Sequence, residues 1–324
     1  MTQTSAVTAT HLRTISRVLA HRCAVSEVFV TSLDRLGPNE FQAGAQLPRM
    51  HAYYSDHAGP LGLRHDPLVV MEAARQAAIA STHEFFGVPP EMAFIVRTFN
   101  GTGSDTDVWE TCTAPADLVM NVRVSAQHRR GGVPHGLDLV LEIACDGAPM
   151  MTVDGSFSWT TASRWNAMRS AFRDSLGLGQ FRGSGALSER APEALVGREN
   201  RRNVVIGPPR LEGRTARAAL VADLAHPFLF DHQLDHIPGS LLIEAARQTA
   251  LTLLPELPRL LSVGSTFERF VELDCPAECV AEIIESEVGP TVVRCVIEQA
   301  GAEAARIDLE FGADAVVSEP DGKP

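Results

Sequence analysis

Two stretches of this chain are apolar on nearly every side of a helix. Leu68, Val69, Val70, Met71, Ala73, Ala74, Ala77, Ala78, Ile79 and Ala80 fill the first; Leu241, Leu242, Ile243, Ala245, Ala246, Ala250 and Leu251 fill the second. A helix without a polar face is a buried helix, so residues 68–82 and 240–254 are predicted as two buried helices. The second should stop before Pro255, because the residue ahead of a proline avoids the helical region. Strand-like segments follow each helix: 118–126, 137–145 and 150–160 after the first, 279–287, 291–299 and 305–311 after the second. Asp146-Gly147 between two of them suits a tight hairpin turn. A helix followed by an antiparallel meander, twice over, predicts an α+β fold.

The two halves are copies. Glu72-Ala-Ala-Arg75-Gln76 recurs as Glu244-Ala-Ala-Arg247-Gln248. Upstream, His51-Ala-Tyr-Tyr-Ser-Asp56 resembles His226-Pro-Phe-Leu-Phe-Asp231, and Glu27-Val-Phe-Val-Thr31 resembles Asn203-Val-Val-Ile-Gly207. These pairs keep their order at offsets of 172, 175 and 176 residues, a period that means two homologous domains rather than a solenoid. The expected domains are 15–162 and 203–315. Between them, 163–202 is read as a linker with a short helix at 164–173 and a flexible glycine-rich stretch at 177–185. The tail from Ser318 is polar and expected to be disordered.

Composition narrows the class. A length of 324 residues suits two domains, and 45% apolar residues can build sizeable cores. The net charge of −12 argues against a nucleic-acid surface but leaves room for one local basic pocket. Residues 1–22 lack the apolar core of a secretory signal, and no apolar run is long enough to cross a membrane. Six scattered cysteines read as free thiols in a reducing compartment, so a cytoplasmic location is expected. Cys275 and Cys279 are four apart with no second pair nearby, and no metal site is expected.

Each apolar helix carries one polar stripe, because positions i, i+3 and i+4 share a face. The stripes are Glu72, Arg75, Gln76 and Glu244, Arg247, Gln248. Burying a carboxylate and a guanidinium is costly even when they pair, and apolar residues would serve stability as well. One reading is a structural pair that aligns the domains. The other, favoured because the stripe occurs twice, is a carboxylate and a cation on the wall of a substrate cavity. The loop Asp231-His232-Gln-Leu-Asp235-His236-Ile-Pro238-Gly239 adds titratable groups ahead of the second helix. His232 is a candidate general base or hydrogen-bond partner. Gly239 lets backbone N–H groups approach a ligand, where the helix dipole helps hold an oxyanion.

The segment from Phe230 to Glu244 resembles the active-site stretch of hot-dog-fold acyl-carrier-protein dehydratases. The closer resemblance is to the A-factor synthase family, whose members carry two hot-dog repeats. His21, Glu27-Val-Phe-Val-Thr31, Gln46-Leu-Pro-Arg-Met-His51, Asp66-Pro-Leu68, the two Glu-Ala-Ala-Arg-Gln motifs, Asn203-Val-Val-Ile206, Asp231-His232 and His236-Ile-Pro-Gly239 carry it over residues 15–315. The resemblance implies two tandem hot-dog domains, each an antiparallel sheet wrapped around one helix. It implies transfer of a β-ketoacyl group from acyl carrier protein to dihydroxyacetone phosphate, then ring closure to a butenolide phosphate, a precursor of γ-butyrolactone or furan-type signals. No cofactor is implied beyond the carrier's phosphopantetheine. On this reading Glu244, with His232, takes the acceptor proton, and donors at Gly239 hold the thioester oxygen. Arg247 and Arg75 bind the phosphate, Glu72 either orients the acceptor or later removes the acidic proton between the two carbonyls to start ring closure, and Gln76 and Gln248 join the substrate-binding set. The first copy lacks Pro-Gly, so the second is expected to hold the main acyl site. A dehydratase or thioesterase on the same fold, and a non-catalytic acyl-binding module, stay open, as does the oligomeric state, since two fused repeats form a complete pair.

Overall fold

The computed structural model describes residues 9–181, 183, 187–254, 256, 258–285 and 289–312. Pro255, residues 286–287, part of the glycine-rich stretch and the tail from Ser318 lie outside the described residues.

Helix α1 spans Pro67–Phe86, a turn longer than its apolar run predicts. The Asp66 carboxylate caps it by accepting from the Leu68 N–H at 2.9 Å, and Gly87, at φ 63°, ends it in the left-handed conformation. The second long helix starts at Gly239, with Pro238 as an N-cap that supplies no side-chain bond, and closes at Leu251, three residues short of the predicted end. Between them comes a helix at Ala162–Ser175, here α2, so the second long helix is α3. The alanines of α1 and α3 that face the sheet are wholly buried, which lets the strands wrap closely.

In the first half the strands are β1 (Val30–Arg35), β2 (Glu40–Leu47), β3 (Ala93–Gly103), β4 (Ala116–Arg130), β5 (Val133–Cys145) and β6 (Ala148–Thr160). In the second they are β7 (Arg210–Glu212), β8 (Thr215–Ala219), β9 (Arg259–Phe267), β10 (Ala277–Glu285), β11 (Thr291–Gln299) and β12 (Ala302–Gly312). The predicted strands fall within β4, β5, β6, β11 and β12, and the described part of the strand expected at 279–287 falls within β10. Asp146 and Gly147 both have positive φ, as a type I′ hairpin turn requires. From edge to middle the first half runs β1-β2-β4-β5-β6-β3 and the second repeats it as β7-β8-β10-β11-β12-β9. Strands β3 and β9 pair antiparallel at the seam, joining the halves into one twelve-stranded antiparallel sheet. The chain is therefore two hot-dog units, each sheet packed on its own central helix.

The halves also interlock through their loops. Asp231 of the second half accepts from the Cys23 and Ala24 N–H groups at 2.6 and 3.0 Å. Its counterpart Asp56 accepts from the Asn200 N–H at 3.0 Å and from the Asn203 side chain at 2.7 Å. The repeat-matched segment at 203–207 forms only an isolated bridge, Ile206 with Leu220.

The connector is anchored rather than loose along α2. Arg169 donates to both oxygens of Glu272, at 2.6 and 2.9 Å, and Arg173 donates to the same carboxylate and to Asp274. Glu272 is completely buried. Removing one partner from a buried ion cluster leaves uncompensated charge. Arg169→Ala is expected to lower unfolding stability by about 3 kcal/mol, measured by urea denaturation. A loss below about 1 kcal/mol would show that Arg173 alone compensates Glu272.

Candidate functional site

Both polar stripes are buried, and each gains a second arginine from outside its helix. Glu72 receives Arg75 through two bonds of 2.8 and 2.9 Å, and Arg22 at 2.5 Å. Glu244 receives Arg198 at 2.7 Å and meets Arg247 at 2.5 Å. Arg22 and Arg198 lie 176 residues apart, the offset that separates Glu27 from Asn203. That coincidence was the signal available in the sequence, but neither arginine sits in a periodic element. Each reaches across the pseudo-dimer: Arg22 lies over the Phe228 ring and Arg198 over the Tyr53 ring.

The glutamines of the stripe hold backbone. Gln76 donates to Glu27 O and to Glu72, and accepts from the Phe29 N–H. Gln248 repeats this with Asn203 O, Glu244 and the Val205 N–H. Both are wholly buried. The expected substrate-binding role for them finds no free donor: both N–H groups of each amide are used.

A cavity of about 930 Å³ lies between α1 and the N-terminus of α3. Glu72, Arg75 and Arg22 come to it from the first half, and His232, Gly239 and Ser240 from the second. Its body is apolar, with Met71, Ile79, Leu139, Leu242 and Ile243 on the wall, and α2 closes one side with Trp165, Met168 and Phe172. Such a mix of apolar volume and a few convergent polar groups is the usual form of a small-molecule site. Tyr53 also lines it, and its phenol oxygen is buried without a hydrogen-bond partner among the described residues. On the exposed part of the wall stand Arg97 and Arg269, neither with an acidic partner among the described residues.

The pseudo-symmetric twin of this cavity is closed. Only about 40 Å³ remain among His57, Asp66, Trp109 and Arg247. Trp109 packs where Gly103 has no side chain; a Cβ there would come within 2.9 Å of the indole. Asp66 fills the rest: it accepts two bonds of 2.8 Å from Arg247 Nη1 and contacts His57 Nε2 at 2.9 Å. The main site was expected at the second copy, and the open cavity lies instead beside the stripe of the first. Glu244 and Arg247 are off the open cavity, sealed by Arg198 and Asp66, whereas Glu72 and Arg75 are on it. The loop carrying His232 and Gly239 belongs to the second half but serves the helix of the first.

Electrostatics sort the remaining roles. Burial pushes the Glu72 carboxyl up, but Arg22 and Arg75 outweigh it and bring it down to about 2. Glu244 is likewise held below the usual range by Arg198 and Arg247 against its burial. Both carboxylates are held in the charged form and are weakened as proton acceptors. Burial lowers His232, with Arg22 and Arg75 adding to it against Asp231, so its imidazole is neutral at pH 7. His21, also on the cavity, is brought down to about 4 by burial and then by His83. Among the described residues no cluster of three His, Cys, Asp or Glu could hold a metal, and no helix is long and apolar enough to cross a membrane.

The profile of the A-factor biosynthesis hotdog domain matches residues 2–161 and 183–314. A 2-oxo-3-(phosphooxy)propyl 3-oxoalkanoate synthase of Streptomyces virginiae is 33% identical over 270 residues, covering 83% of this chain and 87% of the relative. A protein of the same name from Streptomyces coelicolor is 30% identical over 290 residues, 89% of this chain and 88% of its own. Among solved structures, a MaoC-like dehydratase superposes with a TM-score of 0.54 at 11% identity, over 85% of this chain and 98% of its own. That likeness is one of fold.

The site predicts an acid limb in stability. Folded His21 binds its proton only near pH 4, so the unfolded chain takes up more protons as pH falls below 6.5. Glu72, depressed from 4.5 to about 2, adds stability that is complete above pH 4.5 and lost as pH falls through about 2. This second part amounts to about 3 kcal/mol. Urea denaturation at stepped pH should show stability falling from pH 6.5 to 2, and Glu72→Gln should flatten the part below 4.5. A stability constant from pH 7 to 3 would contradict both assignments.

Proposed function

The chain belongs to the A-factor biosynthesis hotdog family, and from that premise we propose that it transfers a 3-oxoacyl group from acyl carrier protein to the hydroxyl of dihydroxyacetone phosphate. The product is a 2-oxo-3-(phosphooxy)propyl 3-oxoalkanoate, the compound in the names of both Streptomyces relatives. The observation that carries this reading is a single cavity that joins a long apolar body to a cationic cluster and a neutral histidine. The acyl chain takes the apolar body. The acceptor's phosphate meets Arg97 and Arg269 on the exposed wall. The acidic carrier is drawn to the same two cations, which stand out on a protein of net charge −12.

His232 is the base in this scheme: it accepts the acceptor's hydroxyl proton as the oxygen attacks the thioester carbon. Glu72 keeps Arg22 and Arg75 in place, and Glu244 does the same for the closed twin. Acyl transfer from a thioester is redox-neutral, and the phosphopantetheine arm belongs to the donor, so the scheme uses no cofactor resident in the protein. The methylene between the product's two carbonyls is acidic and suits later ring closure to a butenolide.

Incubation with a 3-oxoacyl thioester, with and without dihydroxyacetone phosphate, should give ester or butenolide phosphate only when the acceptor is present, as read by mass spectrometry. Hydrolysis or dehydration independent of the acceptor would establish the thioesterase or dehydratase reading instead, and binding without turnover the non-catalytic one. His232→Asn is expected to slow transfer by about 10²–10⁴-fold. Glu244→Gln should act mainly on stability; if it abolished transfer in folded protein, the twin would be part of the chemistry.

A further inference from the structure

The closed twin supplies an internal comparison for the open site. In the twin, two guanidiniums, Arg198 and Arg247, are balanced by two carboxylates, Glu244 and Asp66. In the open site, Arg22 and Arg75 form ion pairs only with Glu72 among the described residues, with Asp231 acting on Arg22 from farther off. The residue that corresponds to Asp66, the N-cap of the helix, is Pro238. The open site is therefore short of one negative charge, and three donors or acceptors that Asp66 satisfies in the twin are unmatched in it.

Those three can be named. Asp66 Oδ1 accepts from the Leu68 N–H, the second residue of α1; its counterpart on α3 is Ser240, and that helix end has no side-chain cap. Both Asp66 oxygens accept from Arg247 Nη1. The counterpart is Arg75 Nη1, free among the described residues because Glu72 takes only Nε and Nη2. Asp66 Oδ2 contacts His57 Nε2. The counterpart is His232, which turns Nδ1 toward Asp231 at 3.7 Å and leaves Nε2 without a partner among the described residues. Arg75, His232 and Ser240 all line the open cavity, as does Tyr53 with its unpartnered phenol.

We propose that Asp66 is a built-in surrogate for the reacting carbon, and that Arg75, rather than binding the acceptor phosphate, is a catalytic oxyanion donor in the open site. This rests on the transferase reading given above. The Asp66 carboxylate carbon with its two oxygens marks the place of the thioester carbon with its carbonyl oxygen and the incoming acceptor oxygen. The carbonyl oxygen lies at the Oδ1 position, between the Ser240 N–H and Arg75 Nη1. The acceptor oxygen lies at the Oδ2 position, facing His232 Nε2. As its bond to carbon forms, its proton passes to Nε2 and the carbonyl π pair moves onto the oxygen held by Ser240 and Arg75. Collapse breaks the carbon–sulfur bond, and the departing thiolate takes the proton back from His232. The excess positive charge of Arg22 and Arg75 over Glu72 is then matched by charge that exists only in the tetrahedral intermediate, which lowers the barrier without tightening the ground state.

The test restores the missing carboxylate. Pro238→Asp copies the twin, and Pro238→Asn is the near-isosteric uncharged reference. The introduced carboxylate should occupy the subsite: P238D should unfold at higher urea than P238N at pH 7, with the gap narrowing as pH falls below about 4, where the unfolded chain's carboxyl takes up its proton. In the transfer assay P238D should be at least about 100-fold slower than P238N, the scale of losing an oxyanion donor. Equal urea midpoints at pH 7 would overturn the subsite, whatever reaction the protein catalyses. A stability gap in a protein that transfers no acyl group would retain the anion subsite and sink the transferase reading. Equal transfer rates for P238D and P238N would overturn the surrogate assignment.

Discussion

The fold depends on a carboxylate buried inside each central helix and clamped by two arginines. Either carboxylate alone, in so apolar a setting, would be driven to protonate. The first arginine comes from the next turn of the same helix and satisfies only part of each carboxylate. The second, Arg22 or Arg198, comes from a loop whose guanidinium also contacts the other half of the molecule. Satisfying each glutamate thus forces that loop against both halves. Gln76 and Gln248 extend the constraint by supplying backbone partners to segments that enter no strand ladder there. The clamp ties helix, loop and domain interface into one unit, and the placement of the cavity follows from it.

Two units built on the same clamp differ in charge at one position. Asp66 and Pro238 occupy equivalent N-caps, and both suit the start of a helix. Only Asp66 brings a charge. It closes its own side through Arg247 and His57, while Trp109 fills the adjacent volume. Pro238 brings no polar group, so the matching donors on the other side face an open cavity. The helix α2, tied down through Glu272, then walls that cavity with aromatic and aliphatic side chains. The second half has no counterpart of α2 among the described residues.

The sequence made the helices and the inner meander strands readable because both obey simple periods. It hid β3, which runs along the seam and the cavity and lacks alternation between a buried and an exposed face, and β9, its partner at the seam. It hid β7 and β8 because they are short. The duplicated Glu-Arg-Gln stripe is buried in both copies, and the first copy's Glu72 and Arg75 line the open cavity. The open cavity was not legible along the chain for a physical reason: the His232 and Gly239 loop looks like part of the second helix's surroundings when followed in sequence. In space the halves exchange ends, so the N-terminus of α3 faces the middle of α1. A linear reading assigns a loop to the helix that follows it, and here the loop acts on the other one. Asp66 was visible only as a motif letter. Its role needs the distance to Arg247, 181 residues away in sequence.

Fusion of the repeats is what permits the difference. In a symmetric dimer of identical chains, any residue at the helix N-cap appears at both sites. A carboxylate there would close both cavities, and its absence would leave two clusters with uncompensated positive charge at the domain interface. Within one chain the two demands separate. The half with Asp66 carries a fully compensated ion cluster and a filled interior, which favours the folded state. The half with Pro238 keeps an unbalanced cation and unpaired donors, which a packed protein disfavours and which a developing oxyanion requires. The closed twin is therefore more than a vestige of the duplication: it holds the interface in register while the other side stays electrostatically incomplete.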